Sequence, residues 1–96
     1  MKEAVLQLAH QDAFHLRPAS KFARVTSRYR SRIWVEREGV EVDGKSVLGL
    51  LLLAPLAGLE VHVRAEGIDE DEALEAIRHY FDQDQQQFEE DGLGEG

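Results

Sequence analysis

A chain of 96 residues with 43% apolar and 31% charged side chains has the size and balance of one globular domain. Its net charge of −8 disfavours nucleic acid and anionic membranes as partners. The absence of cysteine excludes a disulfide framework, a thiolate metal site and a cysteine nucleophile.

Taken in chain order, residues 4–8 alternate weakly and predict a strand with Ala4, Leu6 and Leu8 on one face. Residues 11–14 read as a loop. A helix is expected to begin just after His15. Pro18 suits its first turn, where a missing N–H costs nothing. Ala19, Phe22, Ala23 and Thr26 then recur at helical spacing, and the helix should fade over 27–30. Residues 32–43 read as a hairpin turning at Glu38-Gly39, with Ile33 and Val35 on one face and Trp34 and Glu36 on the other.

Ser46 is a good N-cap for a short helix over 47–53, stopped by Pro55. The clearest strand follows at 59–65, where Leu59, Val61, Val63 and Ala65 alternate with polar residues. The acids at 69–72 read as the solvated start of a last helix, where they favour the positive end of its dipole. Leu74, Ile77, Tyr80 and Phe81 make its apolar stripe. Residues 1–88 form one domain in this reading, and the acidic, Gly-rich residues 89–96 a disordered tail. The order β-α-β-β-α-β-α predicts an α+β fold: a four-stranded antiparallel sheet with three helices on one face.

The longest apolar run, 47–59, is broken by Gly49, Pro55 and Gly58 and is too short to span a bilayer. The N-terminal residues do not lead into a signal-peptide core, so the cytoplasm is the expected compartment.

Charge is unevenly spread. Arg17, Lys21, Arg24, Arg28, Arg30, Arg32 and Arg37 all fall in the first half, which leaves a basic region around 15–32. Within it, His15-Leu16-Arg17-Pro18 joins a titratable nitrogen nucleophile to a helix start. The first N–H groups of a helix lack intrahelical acceptors and, with the dipole, attract anions. Arg17 adds a guanidinium fork suited to phosphate oxygens. Leu16 and Pro18 shape the helix start that supports the phosphate. From residue types alone, a helix-capping surface histidine beside a solvated arginine remains open.

Four segments resemble the histidine-containing phosphocarrier (HPr) family of the bacterial phosphoenolpyruvate-dependent sugar phosphotransferase system. The stretch 14–19, Phe-His-Leu-Arg-Pro-Ala, is similar to the family's G-L-H-x-R-P-A motif. Residues 44–51 resemble the segment around its second landmark serine, 58–67 its fourth strand, and 69–81 its last helix. The resemblance implies an open-faced β-sandwich fold. It implies a phosphoryl carrier without independent turnover, taking a phosphoryl group on His15 Nδ1 from phosphorylated enzyme I and passing it to IIA domains. Arg17 would stabilise the transferring group, and no cofactor or metal is implied. Two departures bear on the active-site loop: Ala13 stands where the family has glycine, and Phe14 where it usually has leucine.

A carrier needs a small docking surface. Val47, Leu48 and Leu51 are expected to supply its apolar part, with Leu48 and Leu51 facing out near His15, and Arg17, Lys21 and Arg24 its basic rim. Ser46 is an N-cap that the resemblance also marks as a site of regulatory phosphorylation by a dedicated kinase. The natural form for such a shuttle is a monomer. Three other readings compete: a regulatory binding module of the same fold, disfavoured by the retained His15 and Arg17; a carrier of the nitrogen-related branch; and, last, a small enzyme acting on phosphate esters, which would have only Asp12 as a nearby acid and no Ser, Cys or metal set beside His15.

Overall fold

A computed structural model describes residues 1–83 in full and the backbone of 84–95 as the continuation of the last helix. The reading of 89–96 as a tail lies outside the fully described residues. The elements are β1 (Lys2–Gln7), a 3-10 turn (Gln11–Phe14), α1 (Leu16–Thr26), β2 (Arg32–Arg37), β3 (Val40–Asp43), α2 (Val47–Leu51), β4 (Glu60–Glu66) and α3 (Glu70–Glu95). The strands form one antiparallel sheet in the order β1-β4-β2-β3.

Period-2 patterning decides what each sheet face does. Ala4, Val63, Val35 and Val42 pair in register across all four strands, and all four side chains are buried. The helices cover this face. The other face stays open and carries Trp34, on which the Arg64 guanidinium stacks at 5.1 Å while it pairs with Glu41. Phe14, Phe22, Tyr80 and Phe81 join the 3-10 turn, α1 and α3 through ring contacts, with Phe22 centroids 6.3 Å from Phe14 and 5.4 Å from both Tyr80 and Phe81.

The hairpin turn uses left-handed backbone at Glu38 (φ 51°) and Gly39 (φ 82°), the pattern that matches the twist of a two-residue connection. Gly67 is required for a different reason. A Cβ there would stand 2.6 Å from the Ser31 Cα, so only glycine lets β4 leave the sheet against the α1–β2 loop.

Three expectations need correction. Residues 11–14 are not an irregular loop but a 3-10 turn, which closes as the His15 N–H donates to the Asp12 carbonyl at 3.1 Å. The helix after Ser46 ends at Leu51 and not at 53. Bonds of 3-10 spacing from Leu52 to Gly49, Leu53 to Leu50 and Ala54 to Leu51 replace the α-helical pattern over the three residues ahead of Pro55. The acids at 69–72 are not uniformly solvated. The Asp69 carboxylate accepts the Ser31 hydroxyl, the Arg30 N–H at 2.8 Å and the Ser31 N–H at 2.9 Å, and so clasps the α1–β2 loop.

Those bonds hold the Asp69 carboxyl down to about 2, the Ser31 hydroxyl contributing most and the Arg30 amide next. A carboxyl whose folded value is depressed stabilises the fold above its ordinary range near 4 and loses that contribution as pH falls toward 2. Acid unfolding is therefore expected to steepen between about pH 4 and 2, and Asp69→Asn should remove that part of the pH dependence. Urea midpoints measured along an acid series check this. A variant that keeps the wild-type slope would show that the clasp contributes nothing.

Candidate functional site

His15 is the N-cap of α1, with extended backbone (φ −66°, ψ 167°), and its side chain makes no capping hydrogen bond. The ring is therefore not spent on the helix. Its side chain is 56% exposed, and Nε2 lies 3.6 Å from Asp12 Oδ1, beyond hydrogen-bond length but within ion-pair range. Leu16, Arg17 and Pro18 follow as the first three helical residues. The N–H groups of Leu16 and Arg17 meet no intrahelical acceptor there, and Pro18 has none to offer. Arg17 is exposed and enters no ion pair among the described residues. The start of α1 thus carries a solvent-facing imidazole at its N-cap, two first-turn amides and, on exposed Arg17, a guanidinium with no ion pair among the described residues.

This helix start is held from below. The Tyr80 hydroxyl donates to the Pro18 carbonyl at 3.1 Å, tying α3 to the first turn of α1. Phe14, fully buried, anchors the residue before His15 in the aromatic cluster. Ala13 adopts no positive φ, since it lies inside the 3-10 turn, so the chain reaches His15 without the family's glycine.

Arg37, counted in the sequence only among the first-half cations and outside the basic region at 15–32, is fully buried. Its guanidinium donates to the carbonyls of Gly58 at 2.6 Å, Leu53 at 2.9 Å and Gln11 at 3.3 Å, and lies 5.7 Å from the Phe14 ring centroid. Burial pushes its pKa down from the usual value and the nearby Glu38 opposes the shift, but a guanidinium stays charged. The signal was available: Arg37 shares the parity of Ile33 and Val35 and so points inward. Arg37 therefore knits the His15 turn to the end of α2.

On α2, Ser46 Oγ accepts the Gly49 N–H at 3.0 Å, which makes Ser46 the N-cap. Leu50 is fully buried, and each helical residue turns about 100° from the last. Leu48 and Leu52, two residues either side of Leu50, therefore face away from the core and are 78% and 64% exposed. Leu48 stands where expected. Leu51, one step from Leu50, lies on the flank and is only half-buried against the core, so Leu52 replaces it as the second outward leucine. Lys21 and Arg24 are exposed on α1. Arg24 and Val47 line a shallow groove between α1 and α2 together with Arg28 and Lys45.

The fold and this helix start define a class: small open-faced sandwiches that present a histidine at a helix mouth. Comparison with known proteins gives that class its name. The family described as the PTS HPr component phosphorylation site matches residues 2–83. The chain is 31% identical over 77 residues to the phosphocarrier protein HPr of Neisseria meningitidis, covering 80% of this chain and 86% of that protein. It is 33% identical over 84 residues to the HPr-like protein Crh of Bacillus subtilis, covering 88% and 99%. The crystal structure of HPr-C-His from Thermoanaerobacter tengcongensis superimposes with a TM-score of 0.80 at 34% identity, over 88% of this chain and 96% of that one. The chain belongs to the HPr phosphocarrier family of the phosphotransferase system. No helix among the described residues is long and apolar enough to cross a membrane.

Proposed function

We propose that this protein accepts a phosphoryl group on His15 Nδ1 from the phosphohistidine of enzyme I and donates it to IIA domains in the cytoplasm. The observation that carries this reading is the exposed ring of His15 at the N-cap of α1, with no capping duty and with Nε2 turned toward Asp12. That orientation leaves Nδ1 to attack. As the Nδ1–P bond forms, the donor's N–P bond breaks and its electron pair returns to the donor ring. The oxygens of the transferred group meet the Leu16 and Arg17 amides and the Arg17 guanidinium, so transfer depends on positioning and charge stabilisation. The same contacts serve donation, and no turnover occurs on the carrier alone.

Leu48 and Leu52 on α2, with exposed Lys21 and Arg24 on the neighbouring α1, suit brief docking on unlike partners, because a small patch binds and releases quickly. Modification of Ser46 by a kinase would add negative charge beside that patch and weaken docking. Incubation with ATP and such a kinase, followed by peptide mass spectrometry, tests the point, and an unmodified Ser46 peptide removes this regulation.

The central test is incubation with phosphoenolpyruvate, magnesium and enzyme I. An acid-labile, base-stable phosphate mapping to the His15 peptide is expected. A protein that stays unlabelled under conditions that label a known HPr would refute the carrier reading.

A further inference from the structure

Among the described residues, Asp12 is the charged group within ion-pair range of the His15 ring. The two are held together by the chain itself, since the His15 N–H donates to the Asp12 carbonyl across the 3-10 turn at 3.1 Å. Asp12 Oδ1 faces Nε2 at 3.6 Å, and both side chains are more than half exposed.

A neutral imidazole carries its hydrogen on one nitrogen and its lone pair on the other, and the partner of one nitrogen decides the arrangement. A carboxylate beside Nε2 favours the hydrogen there. The lone pair then falls on Nδ1. We infer that Asp12 is a positioning residue that selects the Nδ1-nucleophilic tautomer of His15 and retains the Nε2 hydrogen through acceptance and donation. The inference rests on the carrier reading above and names a residue that acts on the ring, not on the phosphate.

The chemistry balances without a proton being moved. When Nδ1 bonds to phosphorus, the donor nitrogen leaves with its electron pair, and the Nε2–H is neither gained nor lost. Positive charge grows on the phosphorylated ring and meets the Asp12 carboxylate. A ring that keeps its Nε2 hydrogen is also the better leaving group when the phosphoryl group moves on. Asp12 addresses the nitrogen remote from phosphorus, so the ring itself separates the two anions.

The pair is exposed, so its effect is modest. The test uses whole protein with 15N-labelled histidine, well above the pH range in which imidazole protonates. In Asp12→Ala the ratio of Nε2–H to Nδ1–H forms at His15 is expected to fall about three- to fivefold, the size an exposed charge contact supports. Single-turnover labelling by phosphorylated enzyme I should slow by a similar factor. Asp12→Asn, which keeps the shape and loses the charge, should lie between wild type and Asp12→Ala. An unchanged tautomer ratio in Asp12→Ala overturns the inference, and it does so alone if the wild type still takes label. If the ratio moves but the wild type never takes label, tautomer selection stands and the relay reading fails.

Discussion

His15→Ala protein is expected to keep its fold and to take up no phosphate from phosphorylated enzyme I. The two halves of that result have separate reasons. The side chain is more than half exposed and makes no capping bond, so its removal takes nothing from the core. Surface substitutions of this kind usually change stability by less than about 0.5 kcal/mol. Transfer, by contrast, needs a nucleophile at that point, and no neighbour can replace it. Asp12 is bound to the same turn but addresses the far side of the ring, and Arg17 is a cation with no lone pair to offer. The loss should therefore be complete and not partial. Urea unfolding and acid-labile label measured on the same sample check both halves. A variant labelled as well as wild type would place the acceptor elsewhere, and a variant that unfolds would make the ring a structural element.

Arg37→Met should give the opposite pattern, a large loss of stability with the His15 ring still present. Methionine keeps the length of the stem and much of its volume. It cannot donate to the carbonyls of Gly58, Leu53 and Gln11. A buried carbonyl left without a donor costs about 1–3 kcal/mol. The Gln11 and Gly58 bonds are only partly buried, so water can recover some of that loss, while the Leu53 carbonyl is deep. A net destabilisation of roughly 3 kcal/mol follows. Domains of this size have a stability of about 5–15 kcal/mol, so that is a large fraction of the whole. The melting temperature should drop on the order of 15 °C. A calorimetric scan showing a shift of only a degree or two would mean that the three carbonyls find other partners.

His15 and Arg37 differ in how much of their setting the chain itself carries. What concerns His15 was legible along the chain. Pro18 in a first turn, the periodic Ala19, Phe22, Ala23 and Thr26, and the Ser46 cap are local patterns, each set by a few neighbouring residues. The alternation of 32–43 and of β4 likewise announced one buried and one wet sheet face. These readings hold because periodicity and capping depend on backbone geometry that is the same in any protein.

The partners of Arg37 and Asp69 were not legible in this way. Arg37 draws its acceptors from residues 11, 53 and 58, and Asp69 its donors from residues 30 and 31. No local rule links positions so far apart, and a charged side chain read alone is assigned to solvent. Only the closing of the sheet order β1-β4-β2-β3 under the helices brings them within reach. Leu51 and Leu52 show the same limit on a smaller scale. Periodicity showed that α2 must turn some leucines outward, but which ones depended on Leu50 being the residue that seats in the core. Composition and pattern thus decided the elements and singled out the histidine that opens α1. Long-range packing decided which charges became buried fasteners and which apolar side chains were left exposed, because burial is settled only when distant segments compete for the same interior.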